Sequence, residues 1–406
     1  MQTSTHSPRM SQIPSTRAGL ALAAATLMSF AGSILAQPPG PPGETFEAVT
    51  FVEGLRNPWS MAFLPNGDML VTERGGQLRI IRDGKLLPDP VPGVPAVRAQ
   101  GQGGLQDVVL HPDFASNRML YLSYAKPNED GSLGTTGLSR ARFENDRLSN
   151  VEEIFEAVAW NDRPGHFGAR IAFDSDGYLF MSVGDRMAGL GPNGFDPDLE
   201  GHPAQDLSNH QGTIVRLNDD GSVPDDNPFV GRAGALPEIW SYGHRNPQGL
   251  AVHPETGQLW ADEHGPQGGD ELNVIRRGAN YGWPVIGYGA NYVSGTEIHA
   301  SRNREGMEQP AAFWVPSIGI SGLSFYQGDE FPNWNGNAFV GGMSGNYQRL
   351  VRVALNGETV IGREPLLVGT YRIRDVRTGP DGLVYLATDN IYGQPSAIVR
   401  LEPTDE

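Results

Sequence analysis

The sequence contains no cysteine, and Lys85 and Lys126 are the only lysines among its 406 residues. Without cysteine no disulfide can stabilise the fold, so packing or bound metal must do so. The same absence excludes a lipid anchor on a cysteine behind a leader segment. After residue 36 the sequence also lacks any apolar run long enough to span a bilayer, so no membrane span is expected in the mature chain.

The amino-terminal segment has the order of features that export signals have. Arg9 and Arg17 precede an apolar stretch from Ala18 to Ala36, and Gln37 is followed by two prolines. This order predicts a secretory signal peptide over residues 1–36, with cleavage near Ala36. Residues 37–45 then form a proline- and glycine-rich tail, residues 46–406 form one domain, and the protein is periplasmic or secreted. An uncleaved membrane anchor is the alternative, which the length barely allows.

Charge and composition limit the possible partners and the fold class of the protein. The formal net charge is −17, from 30 basic and 47 acidic residues. Such an acidic chain repels phosphate backbones, which excludes nucleic acid as a partner. The 53 glycines and 32 prolines are spread among short apolar runs rather than concentrated in tracts. That distribution indicates many tight turns and a β-rich fold.

One unit, a turn followed by an alternating strand, recurs six times. Its copies run over residues 64–74, 111–124, 174–185, 253–263, 331–342 and 379–389. Each combines proline, aspartate or asparagine with glycine ahead of a strand of period two, and no helical pattern of 12 or more residues follows the signal segment. We therefore predict an all-β fold, a six-bladed β-propeller, in which a strand over about Phe46–Leu55 closes the last blade. A pair of β-sandwiches is the alternative, but it does not explain six similar units.

Five glycine-rich polar clusters accompany these repeats. Their candidate residues are, in chain order, Gln102; His166; His244, Arg245 and Asn246; Glu263, His264, Gly265, Pro266, Asp270 and Glu271; and Arg372 and Arg374. Singly, each cluster also suits a structural role, such as a buried ion pair or a capped turn. Together, a histidine, two amides and three arginines indicate an anionic ligand beside a proton acceptor. Main-chain carbonyl groups in a glycine–proline turn near carboxylates suit Ca²⁺.

These clusters closely resemble the glucose/sorbosone dehydrogenase family, the soluble aldose sugar dehydrogenases that use pyrroloquinoline quinone (PQQ). The resemblance runs from about Val52 to Pro403 and includes the strings G-Q-G-G-L-Q-D-V-V-L-H-P-D-F, G-H-R-N-P-Q-G-L and E-H-G-P-Q-G-G-D-E-L-N. It implies a six-bladed propeller that oxidises aldose sugars at C1 to lactones. It also implies PQQ as hydride acceptor, Ca²⁺ as Lewis acid and a soluble electron acceptor as the further partner.

The resemblance also implies a role for each candidate. His166 matches the general base, and Arg245 matches the residue that stabilises developing negative charge on the quinone oxygen. The positions that match cofactor-contacting residues are Gln102, Asn246, Arg372 and Arg374. The main-chain oxygens of Gly265 and Pro266 match the Ca²⁺ ligands, and Asp270 and Glu271 are expected to support them.

Two positions depart from the family pattern. Where the family commonly has a lysine that binds a PQQ carboxylate, this chain has Ser344, and no lysine follows Lys126. Loss of such a charge-assisted contact costs about 1.5–3 kcal/mol, and Arg349 is a candidate replacement. In addition, Gly165 precedes His166 where some relatives carry an acid.

Three functions are therefore compared. The leading hypothesis is a PQQ- and calcium-dependent aldose dehydrogenase. The alternatives are a calcium-dependent propeller sugar lactonase and a non-catalytic carbohydrate-binding propeller. Aromatic residues expected to offer faces for a sugar ring are Trp283, Tyr288, Tyr292 and Trp314.

Overall fold

The computed structural model describes residues 43–189, 199, 201–389 and 396–404. The predicted signal peptide, residues 1–36, and most of the predicted tail lie outside these residues. Within the described ranges, no helix is long and apolar enough to cross a membrane.

Twenty-four strands form six four-stranded antiparallel sheets, one per blade. Blade 1 contains β2 (Pro58–Phe63), β3 (Met69–Glu73), β4 (Gln77–Arg82) and β5 (Lys85–Leu86). Blade 2 contains β6 (Leu105–Leu110), β7 (Met119–Pro127), β8 (Gly134–Glu144) and β9 (Arg147–Glu156). Blade 3 contains β10 (Ile171–Phe173), β11 (Leu179–Val183), β12 (Thr213–Leu217) and β13 (Ile239–Tyr242).

The other three blades follow the same order. Blade 4 contains β14 (Pro247–Val252), β15 (Leu259–Glu263), β16 (Asp270–Val274) and β17 (Ala312–Trp314). Blade 5 contains β18 (Ile320–Phe325), β19 (Ala338–Gly342), β20 (Arg349–Asn356) and β21 (Thr359–Leu366). Blade 6 contains β22 (Ile373–Thr378), β23 (Val384–Thr388), β24 (Ala397–Pro403) and β1 (Phe46–Glu53).

The six predicted repeats are the turns that join the first strand of each blade to the second. Glycine occupies the left-handed position in five of these turns, with φ of 69–89° at Gly67, Gly177, Gly257, Gly336 and Gly382. The turn of blade 2 differs, because one short helix, α1 (Phe114–Asn117), replaces the glycine and ends on Arg118 at φ 57°. The repeat therefore marks one hairpin in every blade, and the six-bladed propeller prediction is confirmed.

Closure of the ring also follows the prediction. Strand β1 pairs antiparallel with β24, from Phe46 opposite Pro403 to Glu53 opposite Ala397. The first strand of the domain thus completes the last blade, which leaves no open sheet edge between them. The alternative of two β-sandwiches is wrong.

Apolar side chains fill the spaces between adjacent blades. Every residue of the second strands β3, β11, β15, β19 and β23 is buried, because blades cover both faces of each sheet. One such core joins blades 4 and 5 through Trp260, Leu272, Leu323 and Val340. The polar residues of these alternating strands, such as Thr72 and Asp262, are therefore buried together with the apolar ones.

A buried ion network crosses the propeller axis. The Arg170 guanidinium, with 1% of its side chain exposed, lies 2.9 Å from Asp375 of blade 6 and 3.4 Å from Asp107 of blade 2. Its Nε donates to the main-chain oxygen of Gln248 in blade 4, and its Cζ lies 4.2 Å from the ring centroid of Trp59 in blade 1. One side chain in blade 3 therefore contacts four other blades.

Removal of this guanidinium leaves two buried carboxylates without it. We predict that Arg170→Met lowers the free energy of unfolding by about 3–5 kcal/mol, the usual cost of breaking a buried ion pair from one side. Chemical denaturation followed by tryptophan fluorescence measures this change.

Arg82 provides a matched control, because it also bridges two aspartates, Asp68 and Asp146, but its side chain is 37% exposed. Arg82→Met is expected to destabilise the protein far less than Arg170→Met, because water screens the exposed ion pairs. Equal losses in the two variants would contradict a special role for the axial network.

Candidate active site

Strand direction gathers the candidate residues at one end of the propeller. In every blade the first strand begins, and the antiparallel second strand ends, at the same face, which we call the site face. Gln102, His166, Arg245 and Asn246 precede or flank the starts of first strands, and Arg372 and Arg374 flank the start of β22. Gly265 and Pro266 follow the end of β15. All eight predicted site residues therefore lie at the site face.

His166 is buried and held from two sides. Its Nδ1 lies 2.7 Å from Oδ1 of Asp185, and its main-chain N–H donates to Oε1 of Gln102 at 2.8 Å. Its backbone has φ of 53°, a conformation that non-glycine residues seldom adopt. Because an ionised carboxylate only accepts hydrogen bonds, Nδ1 carries the proton and Nε2 is left as the proton acceptor.

Asp185 is a functional candidate that sequence reasoning missed. It follows the end of β11, and its second oxygen accepts a hydrogen bond from Nε1 of Trp283 at 2.9 Å. The acid beside the histidine thus comes from the end of the neighbouring strand, although Gly165 occupies the preceding position in the chain. Its place just beyond a second strand, the last residue of the third repeat, is the signal that identifies it.

The surroundings of His166 and Asp185 favour an uncharged histidine, which can act as a base. Burial, and next the positive charge of Arg245, lower the pKa of His166, against the opposing charge of Asp185. Burial opposes ionisation of Asp185, but its hydrogen bond with His166 and the charge of Arg245 favour it, and the pKa of its carboxyl is lowered. His166 is therefore uncharged at neutral pH beside an ionised Asp185.

Arg245 connects the base to the glycine–proline turn. Its main-chain N–H donates to Oε2 of Glu263 at 2.6 Å. Its Nη1 donates to the main-chain oxygens of His264 and Gly265, at 3.2 and 2.9 Å. Only 8% of the residue is exposed, so a fixed positive charge faces the site beside His166.

Asp270 holds the turn in shape. One carboxylate oxygen accepts from the N–H of Gly265 and the other from the N–H of Ile320, both at 3.0 Å. The main-chain oxygen of Pro266 accepts from Oγ of Ser317 at 3.1 Å. Gly265 is required here, since a Cβ would lie 2.3 Å from the backbone of Gly269.

Glu271 lies partly buried beside this turn. Burial, and next the charge of Glu263, raise the pKa of Glu271 to about 8. Among the residues that the structure describes, no group of three or more histidines and carboxylates is placed to hold a metal ion. The main-chain oxygens of Gly265 and Pro266, predicted to hold Ca²⁺, are ligands of a different type, and their role stays a prediction.

The arginines of β22 form a second cationic centre. Arg372 is paired with Asp389, and Nη1 of Arg374 donates to Oε1 of Gln248 at 3.0 Å. Asp389 also accepts from Nδ2 of Asn57 at 2.7 Å. Burial, and next the charge of Arg372, lower the pKa of Arg374 to about 9.

Asn246 contacts the segment that carries the base. Its Oδ1 accepts from the N–H of Gly168 at 3.1 Å and from Nε2 of Gln248 at 3.2 Å. Since Gln248 also contacts Arg374, this amide chain connects the base segment of blade 3 to the arginines of blade 6.

The predicted aromatic faces differ in exposure. Trp283 is only 9% exposed and its Nε1 is bound to Asp185, so it serves packing and positioning of the pair. Tyr288 stacks on Phe313 with ring centroids 3.9 Å apart. Tyr292 is 59% exposed, and its hydroxyl group lies 3.4 Å from Nη2 of Arg245. Tyr292 therefore offers a free aromatic face at the edge of the site.

Fold and site together define a closed six-bladed β-propeller with a proton-accepting histidine and clustered arginines on one axial face. Comparison with known proteins shows which family this propeller belongs to. A family model described as Glucose / Sorbosone dehydrogenase matches residues 55–400. The chain belongs to the glucose/sorbosone dehydrogenase family, a family of oxidoreductases.

Individual relatives agree with this assignment. The aldose sugar dehydrogenase YliI of Escherichia coli K12 is 44% identical over 345 residues, 84% of this chain and 89% of that protein. The apo-form crystal structure of the soluble aldose sugar dehydrogenase from Escherichia coli is 40% identical, with TM-score 0.80 over 89% of this chain and 100% of that one. The PQQ-bound aldose sugar dehydrogenase from Streptomyces coelicolor is 28% identical, with TM-score 0.68 over 89% of this chain and 99% of that one.

The electrostatics of the pair give a prediction about protonation. Because its pKa is lowered, His166 should remain neutral, with a proton on Nδ1, at pH values where an ordinary histidine is half protonated, about 6.5. Asp185→Asn removes the charge that favours the imidazolium ion and should lower the pKa of His166 further. Long-range ¹H–¹⁵N NMR spectra recorded over a pH series measure both effects. Titration of His166 at or above the ordinary value, or an upward shift in Asp185→Asn, would contradict this description of the pair.

Proposed function

We propose that this chain oxidises aldose sugars at C1 to lactones, with PQQ as hydride acceptor, Ca²⁺ as Lewis acid and a soluble electron acceptor. The observation that carries the proposal is the placement of the His166–Asp185 pair and the clustered arginines on one face of the propeller. The known PQQ-bound relative supports the cofactor. Export to the periplasm or beyond the cell, by the signal peptide of residues 1–36, belongs to the same proposal.

The residues fit an anionic cofactor. Arg372 and Arg374 share one carboxylate, Asp389, which lies 4.0 Å from Nη2 of Arg374. The unbalanced positive charge favours a ligand that carries carboxylates. Gln102 contacts the base segment, and Asn246 contacts Gln248, the partner of Arg374, so both would lie near the same ligand.

The glycine–proline turn fits a hard cation. Carbonyl oxygens have two lone pairs, so the oxygens of Gly265 and Pro266 each retain one beside the hydrogen bond that they accept. Ca²⁺ accepts such main-chain ligands together with oxygens of a bound molecule. The buried carboxylate of Glu263 makes the surroundings favourable for positive charge.

The protein residues supply proton transfer and positioning. When bound, PQQ provides the carbonyl carbon that accepts hydride, and Ca²⁺ polarises that carbonyl. Nε2 of His166 accepts the proton of the sugar C1 hydroxyl while hydride leaves C1. Asp185 stabilises the imidazolium ion that results, and Arg245 stabilises negative charge at the site. Buried walls around both residues keep these interactions strong.

The proposal predicts a double requirement in an assay. Purified chain with the signal segment removed should oxidise glucose with a redox dye only when PQQ and Ca²⁺ are both present. His166→Gln should lower kcat by about 10²–10⁴-fold, because it removes the general base. The PQQ dissociation constant, measured by absorbance titration, should change little.

His111→Gln is the matched control, since His111 lies in the turn after β6, at the opposite end of the blade. Full activity of His166→Gln would refute the proposed base. Release of acid from a sugar lactone by the wild-type chain, with no dye reduction, would instead favour the lactonase. Sugar binding without turnover of either substrate would favour a binding propeller.

A further inference from the structure

Arg74 also lies at the site face, although it is not among the site residues described above. It follows the end of β3, the position in blade 1 that Asp185 occupies in blade 3 and Asp389 in blade 6. Its N–H donates to the main-chain oxygen of Asn57 at 3.1 Å, and its carbonyl oxygen accepts from the N–H of Leu105 at 3.2 Å. Backbone contacts with blades 1 and 2 therefore fix where its side chain begins.

The side chain of Arg74 runs toward the loop that carries Gln102. At Gly104 a Cβ would lie 1.8 Å from the main-chain oxygen of Arg74 and 2.8 Å from its Cγ, so glycine is required where this loop passes Arg74. Asn57, which accepts from Arg74, donates to Asp389, the partner of Arg372. The charge of Arg74 contributes to the lowered pKa of Arg374, after burial and Arg372, which places it near the same cationic centre.

The guanidinium of Arg74 differs from its neighbours in having no partner. In the described part of the chain, no hydrogen bond or ion pair involves this group, and the residue is partly buried. Arg372 has Asp389 and Arg374 has Gln248. Three guanidiniums thus lie near one carboxylate. Their positive charges repel one another unless an anion binds.

Resting on the function proposed above, we propose that Arg74 binds a carboxylate of the anionic cofactor and supplies the positive charge that Ser344 cannot. Ser344 itself follows β19, so it lies at the site face of blade 5. Its N–H donates to the main-chain oxygen of Ile318 at 2.8 Å. The cation is thereby supplied from blade 1 instead of blade 5.

Arg349, the other candidate for this charge, is engaged elsewhere. Its Nε donates to the main-chain oxygen of Tyr347 at 2.9 Å, and its Cζ lies 5.7 Å from the centroid of the Tyr347 ring. This contrast makes Arg349 the matched control for Arg74.

PQQ binding to the calcium-loaded chain, measured by isothermal titration calorimetry, tests the assignment without turnover. Arg74→Gln should weaken binding roughly ten- to a hundredfold, the loss expected for one charge-assisted contact, whereas Arg349→Gln should stay within about twofold. Arg74→Lys should retain most of the affinity. Without ligand, Arg74→Gln should unfold at about the temperature of wild type, because in the described part of the chain its guanidinium makes no hydrogen bond or ion pair that the change would remove.

An unchanged dissociation constant in Arg74→Gln, or an equal loss in Arg349→Gln, would overturn the assignment. If wild type binds no PQQ, the cofactor of the proposed function is wrong, and titration with benzene-1,3,5-tricarboxylate then tests Arg74 separately. Binding of that tricarboxylate lost in Arg74→Gln would keep Arg74 as an anion ligand. Binding that ignores Arg74, or no binding at all, would overturn it.

Discussion

The contact on which the propeller depends is made by Arg170. From blade 3 its guanidinium binds Asp375 and Asp107, its Nε binds the backbone of blade 4, and it lies over Trp59 of blade 1. Apolar cores hold adjacent sheets together but do not connect blades across the ring. The buried ion network makes that connection with a fixed geometry. Arg170 is also four residues from His166, so the segment that carries this ion network also carries the base.

Much of this architecture is predictable from local chemistry. The six turns need glycine or a left-handed residue at one position, and an alternating strand follows each of them, so the blades can be counted in the sequence. The closing strand at Phe46 is likewise predictable, because a propeller leaves one edge for it. The predicted residues of the glycine-rich clusters all lie at the site face for the same reason, since they adjoin strand ends.

Other members of the site could not be read from the chain. Asp185, Asp389 and Arg74 each end a copy of the repeat, but their partners come from other segments, so the pairing is not visible in the sequence. Pairing of Asp185 with His166 depends on how the turn before β10 approaches the end of β11, which no local pattern specifies. Arg170 was visible in the motif H-F-G-A-R, but its contacts with other blades are a property of the closed ring. The unifying rule, that second strands end at the site face, requires the fold first.

In the proposed function, the sugar is oxidised by removal of hydrogen from C1. His166 is the base, and a quinone lies at the arginine cluster. The most direct test is anaerobic stopped-flow mixing of the PQQ- and calcium-loaded chain with glucose or with glucose deuterated at C1. The account predicts that the quinone absorbance falls several-fold more slowly with the deuterated sugar, and that gluconolactone accumulates. Equal rates for the two sugars, with no lactone formed, would contradict it.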